Sequence, residues 1–172
     1  MQNQHRASHH PVTERRAEPR DAATVHELLT ELADHERSRA SVGVTADDWA
    51  GLLTNPRVRV LLAWLGEHPI GYVSAVRQLH LWSGREILAL DDLYVRPRSR
   101  GGGVGHSLMT ALGEQAAADG LMVIRWEMEP ENRGAQRFYH GLGAALRAKV
   151  IATWSPQIQP SSVSSAARPD RE

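Results

Sequence analysis

Tyr94-Val-Arg-Pro-Arg-Ser-Arg-Gly-Gly-Gly-Val-Gly-His106 decides how this chain is read. It joins an apolar run, Glu86 to Val95, to a stretch in which Val104, Leu108, Leu112 and Ala116 recur every four residues. The first pattern is a strand and the second an amphipathic helix. Between them, four of the five residues from Gly101 to Gly105 are glycine. A helix start carries unpaired N–H groups and a partial positive charge. Glycines let an anion approach those groups without a Cβ in the way. A diphosphate can therefore sit on the amides of Gly101 to His106, with Arg100 adding a guanidinium. A flexible surface turn would look the same. A nucleotide-triphosphatase loop is excluded, because its Gly-Lys-Ser/Thr ending is missing. A dinucleotide fold would need a parallel βαβ unit near the start of its domain.

Working outward, Arg57–Leu65 and Ile70–Arg77 are apolar strands joined by the turn sequence Gly66-Glu-His-Pro69. With Glu86–Val95 they predict an antiparallel meander. Val12–Ala17 is a short strand candidate. A helix follows from Asp21, with Val25, Leu28, Leu29 and Leu32 on one face. Thr45-Ala-Asp-Asp48 reads as a capping box with Asp in place of Glu. Beyond the glycine loop, the expectations are a strand over Leu121–Met128, a helix over Arg133–Leu142 capped by Asn132, and a last strand over Ala145–Trp154. The fold class is α/β (α+β), with a mixed sheet layered with helices. Residues 1–12 and 155–172 are expected to be disordered tails around one domain, 13–154.

Composition removes several functions. Lys+Arg and Asp+Glu balance at 20 each, so no nucleic-acid partner is expected. Lys149 is the only lysine and cysteine is absent, which argues against a lysine Schiff base and removes thiolate chemistry. His5, His9 and His10 lack supporting ligands at metal spacing, so no metal is expected. No apolar run spans a membrane and no secretory signal opens the chain, so a cytoplasmic protein is expected.

A second motif is Asn132-Arg-Gly-Ala135-Gln-Arg-Phe138-Tyr139. Ala135 is small on the first helical turn, where a ligand could pass close. Tyr139 is either a half-buried core aromatic or a proton donor to a leaving thiolate. Asp91 and Asp92 adjoin in a strand, so they should point to opposite faces. One can face an ammonium substrate while the other packs, or both are solvated charges.

The two motifs together resemble the GCN5-related N-acetyltransferase (GNAT) superfamily, whose cofactor loop reads Arg/Gln-x-x-Gly-x-Gly/Ala. Glu31-Leu-Ala-Asp-His-Glu36, Leu81-Trp-Ser-Gly84 and Leu90-Asp-Asp-Leu-Tyr-Val95 are similar to its diamine/spermidine branch. The resemblance implies acetyl-CoA in a V between two splayed strands, and direct attack by an amine. It implies that Leu93, Tyr94 and Val95 hold the pantetheine arm, and that Arg100, Gly101, Gly102, Gly103, Val104, Gly105 and His106 hold the diphosphate. Asn132 and Ala135 would flank the cofactor. Tyr139 would protonate the thiolate, with Asp91 and Asp92 as the catalytic carboxylates. Glu36, Trp82, Asp91 and Glu127 would bind the substrate, and the chain would pair as a homodimer. The acidic supply is thin for a long polycation. A small diamine, a basic amino acid or an amine-bearing metabolite is therefore expected. The alternatives are a protein N-terminal or lysine acetyltransferase, and a non-catalytic acetyl-CoA-binding module.

Overall fold

A computed structural model describes residues 11–154. The expectations for the two tails fall mostly outside that range. The strand expected from Val12 does start there and runs to Arg16. The chain forms two compact units, one closing at Glu129 and the other opening at Pro130.

The first unit holds a sheet in the order β1 (Val12–Arg16), β2 (Val58–Leu65), β3 (His68–His80), β4 (Arg85–Val95) and β5 (Ile124–Arg125). The first four are successively antiparallel; β5 runs parallel to β4. Strand alternation sorts the residues onto two faces. Val60, Leu62, Tyr72 and Tyr94 share one cluster with Val25, Leu28 and Leu32 of α1 (Ala22–His35) and Trp49 of α2 (Ala46–Leu52). The intervening Leu61, Ala63 and Val73 are equally buried and belong to the other face. There α3 (Val104–Ala118) crosses β1 to β4, with Val104, Leu108, Leu112 and Ala116 all buried as their spacing predicts. Each fully buried leucine contributes about 1.5–3 kcal/mol. The capping box is also present: Thr45 Oγ1 accepts from the Asp48 amide, and the Asp48 carboxylate accepts from the Thr45 amide.

Two expectations need correction. The strand expected over Leu121–Met128 contracts to Ile124–Arg125, because β5 meets β4 only at Leu88↔Ile124 and Ala89↔Arg125. Met122 and Val123 lie exposed before it. The last strand, Ala145–Trp154, does not form. A strand needs an edge to pair with, and propensity alone does not supply one. Val150, Ile151 and Trp154 consequently stand in solvent.

The second unit contains α4 (Arg133–Gly141). Asn132 caps it as expected, its side-chain oxygen accepting from the Ala135 amide at 2.9 Å. Gly143, at φ +83°, ends it in the left-handed conformation, and the Ala144 amide closes back on the Tyr139 carbonyl at 3.0 Å.

Candidate functional site

The site in the first unit is built on a fault in β4. Ser74 pairs with Asp92 and Ala75 with Leu90, so Asp91 is the extra residue of a β-bulge. Before the bulge, the Leu88 amide donates toward β5, to the Val123 carbonyl at 3.0 Å. Beyond it, Arg96 donates to Ile70 on the β3 side at 2.9 Å. Antiparallel groups alternate, so Leu93 and Val95 turn their backbone N–H and C=O away from β3. They face the side that β5 has left, since its pairing stops at Ala89. The result is a strand edge that β5 leaves beyond the bulge, with the Val95 carbonyl at its end taken by Arg100 Nε.

That edge leads directly into the glycine loop. A 3-10 turn, Pro97–Ser99, brings the chain round. Gly101 and Gly103 sit at φ +80° and +81°, where side-chain-bearing residues are strained. Gly103 is the N-cap of α3 and provides no side-chain bond to the first turn. The leading amides are therefore left for an outside acceptor. A Cβ on Gly102 would meet nothing closer than the Ser99 carbonyl at 3.9 Å, so the hollow of the loop is open. Arg100 behaves otherwise than expected. Its Nε donates to the Val95 carbonyl at 2.8 Å and its guanidinium lies 5.7 Å from the Tyr94 ring centre. Arg96 is bound to Glu31 and Glu27 of α1, with Nη2 distances of 2.7 and 2.5 Å, and Glu31 also receives the Tyr94 hydroxyl. These bonds anchor the strand end against α1.

The adjacent aspartates line two different hollows. Asp92 joins Glu36, Leu29, Leu32, Val42 and Val44 around a hollow of about 350 Å³. Asp91 joins Gln78, Ala89, Arg125 and Glu127 around another of about 280 Å³, between β4 and β5. The predicted substrate residues thus divide: Glu36 goes to one hollow, Asp91 and Glu127 to the other. Trp82 joins neither. It stands 99% exposed at the tip of the β3–β4 hairpin, where the ring has no apolar surface to cover. Nearby, His80 Nδ1 lies 3.0 Å from Ser83 Oγ.

Two residues escaped the sequence reading. Ser74, buried on β3, donates its hydroxyl to the Asp92 carboxylate at 3.1 Å and accepts from the Asp92 amide at 3.2 Å. It fixes the carboxylate's orientation. Tyr72 is fully buried beside Asp92. Burial, then the Asp92 charge and a hydrogen bond with that carboxylate, push its pKa upward, with Glu36 and Asp91 adding to it. Only the pairing of β3 with β4 brings these side chains to Asp92, and no sequence spacing announces it. Desolvation also raises the Asp91 carboxyl, with the Asp92 charge adding to it.

In the second unit Tyr139 is buried, with the Phe138 ring edge-on at 5.0 Å. Burial pushes its hydroxyl pKa up to about 12. It is therefore fully protonated at neutral pH. Among the described residues, no three His, Asp or Glu side chains are grouped to hold a metal, and no helix is long and apolar enough to cross a membrane.

Comparison with known proteins identifies the family. The profile of the Acetyltransferase (GNAT) family matches residues 22–144. A thialysine N-epsilon-acetyltransferase of Caenorhabditis elegans is 30% identical over 121 residues, covering 70% of this chain and 75% of that protein. An aminoalkylphosphonate N-acetyltransferase of Salmonella typhimurium is 30% identical over 130 residues, covering 75% and 82%. Among solved structures, AAC(6')-Iy in complex with the bisubstrate analogue CoA-S-monomethyl-acetylneamine superposes with a TM-score of 0.72 at 19% identity, covering 86% of this chain and 99% of that one.

Proposed function

This chain belongs to the Acetyltransferase (GNAT) family and is an acyltransferase, and on that premise we propose that it moves an acetyl group from acetyl-CoA to the primary amine of a small molecule. The observation that carries the reading is a succession of backbone groups in one unit. It starts at the Asp91 bulge, follows the edge of β4 that β5 leaves at Leu93 and the Val95 amide, and ends on the uncapped amides of α3. An extended amide-bearing arm suits the strand edge, and a diphosphate suits the helix start. Leu93, Tyr94 and Val95 would hold the arm. Gly101 to His106 would hold the diphosphate, with Arg100 bracing the strand end beside them. Asn132 and Ala135 keep the cofactor-flanking role that the family resemblance gives them.

The donor supplies an acetyl thioester. In the transfer a C–N bond forms and a C–S bond breaks; the amine loses a proton and the sulfur gains one. Asp91 takes the first proton through a water, its side chain being shorter than the glutamate of the diamine/spermidine branch. Tyr139 keeps the role of giving the second that the family resemblance gives it. Tyr139→Phe lowers turnover roughly 10- to 1000-fold while donor affinity stays near wild type. Undiminished turnover in the folded variant would remove Tyr139 from the reaction.

The founding test is release of free thiol from acetyl-CoA across a panel of primary amines. Absence of release with every amine sinks the catalytic reading. We also propose that the protein works in the cytoplasm as a homodimer. This rests on the family resemblance and on the prevalence of two-fold pairing among soluble oligomers. Light scattering that gives only the monomer mass at working concentration rejects the dimer.

A further inference from the structure

We propose that Glu31 and Arg96 are positioning residues for the acetyl donor. They fix the end of β4 and the entry to the glycine loop from α1, so that the Val95 amide and the leading amides of α3 are preset for acetyl-CoA. The inference rests on the acetyltransferase reading and adds to it two side chains that act through the backbone.

The sheet holds this stretch from one side only. Beyond the bulge β4 has parted from β5, and its ladder with β3 closes at Gly71↔Val95. One more backbone bond, from the Arg96 amide to the Ile70 carbonyl at 2.9 Å, ends the pairing. The chain then makes a 3-10 turn and enters the glycine run. A strand end paired on one edge and followed by glycines frays readily. Yet its backbone groups are the ones an extended donor would meet.

Arg96 stands between the ladder and the turn, and its guanidinium ties three segments together. Nε donates to the two Glu31 oxygens at 3.1 and 3.0 Å. Nη2 donates to Glu31 at 2.7 Å and to Glu27 at 2.5 Å, and Nη1 to the Pro69 carbonyl at 2.7 Å. The Arg96 and Glu31 side chains are 26% and 33% exposed, so water screens this forked pair less than a surface one. Two residues earlier, the Tyr94 hydroxyl donates to the same Glu31 at 3.3 Å. Burial and then the Glu31 charge raise its pKa, so it stays a donor. Val95 is thus flanked by two side chains bound to one carboxylate. Strand side chains stand out of the plane of the sheet, so these ties leave the Val95 amide untouched. From the other direction β3 presses close: a Cβ on Gly71 would lie 2.6 Å from the Tyr94 carbonyl. Held between α1 and β3, the strand end has little slack.

Calorimetric titration of acetyl-CoA tests the assignment. Glu31→Gln keeps the side chain's shape and removes its charge; Arg96→Met keeps the stem and removes the fork. Each should weaken acetyl-CoA at least fivefold, with affinity for hexylamine, a plain primary amine, moving less than twofold. The double variant should lie within twofold of the weaker single one, because both changes cut the same tie. Asp119→Asn breaks a 2.7 Å pair with the largely buried Arg59 at the far end of α3, and serves as the purely structural comparison. It should lower the melting temperature and leave acetyl-CoA within twofold. Where Arg96→Met does not fold by circular dichroism, Arg96→Lys, which keeps the charge without the fork, is read in its place. Unchanged acetyl-CoA affinity in the folded single variants, losses that multiply in the double variant, or an equal loss of donor in Asp119→Asn or of hexylamine alongside the donor overturns the proposal. Wild-type protein that binds no acetyl-CoA overturns both this and the acetyltransferase reading. Donor binding with the stated losses but no thiol release from any amine fails the catalytic reading alone.

Discussion

Asp91 and Asp92 are neighbours in sequence but not in surroundings. The Asp92 hollow is walled by aliphatic side chains and its carboxylate is fixed by Ser74. The Asp91 hollow is lined by Gln78, Arg125 and Glu127, and its carboxylate sits on the bulge itself. Regular alternation would also separate two adjacent residues. The bulge does more: it shifts which backbone groups of β4 turn toward β5, so the strand edge changes hands at the point where the carboxylates part. One side chain is then suited to holding a cation and the other to handling a proton.

The sharpest way to break this comparison is to remove each charge in turn. Asp92→Asn should raise the acceptor KM by roughly 10- to 100-fold with a smaller change in kcat, because a charge-assisted bond of about 1.5–3 kcal/mol is lost. Asp91→Asn should do the reverse, lowering kcat with acceptor KM nearly unchanged. Steady-state kinetics at saturating donor separates the two. Identical profiles would mean that the two hollows serve one role, or none.

A change in the glycine loop should touch neither hollow. Gly103→Val puts a β-branched residue at φ +81° and distorts the start of α3. Acetyl-CoA affinity should fall more than about tenfold, some 1.4 kcal/mol, while calorimetric binding of hexylamine is retained. Parallel loss of both ligands in a folded variant would show that the acceptor needs the loop, and that the separation drawn here is false.

Much of this was readable in the residues themselves. The glycine loop announces itself because its chemistry is local: positive φ and free amides need only glycines before a helix. The Thr45–Asp48 box and the four-residue repeat of α3 are local in the same sense. The Asp91 bulge, the Ser74 lock and the burial of Tyr72 beside Asp92 are not local. Each depends on which residue of β3 lies opposite which residue of β4, and register is settled by the packed sheet rather than by either strand. The missing strand at 145–154 fails for a related reason. Its residues favour extended structure, but pairing is a property of two segments and only one was in view.

The pH profile offers a finer test. Burial and the Asp92 charge both raise the Asp91 pKa. As pH falls through that raised value Asp91 takes up a proton and can no longer relay one, so the acid limb of kcat lies above that of an ordinary aspartate. Asp92→Asn removes the second cause. Asp91 then stays ionised to lower pH, and the limb should move down. A limb unmoved by Asp92→Asn and still present in Asp91→Asn would belong to another group.

The smallest expected effect falls on the residue that sequence reading placed at the substrate. Trp82 is 99% exposed on a hairpin tip and lines neither hollow. Within one copy of the chain, Trp82→Ala should change stability by less than about 0.5 kcal/mol. It should leave acceptor KM within about twofold, because there is no contact in the chain for it to lose. The result is informative through its concentration dependence. If a second copy covers this tip, as the proposed dimer allows, the loss should appear in the association constant and in KM measured where the dimer forms, and vanish on dilution. A KM that rises tenfold at every concentration would instead bring Trp82 to the substrate within a single chain. The division of acceptor residues between the two hollows would then be incomplete, since a ring standing in solvent would have to close over one of them.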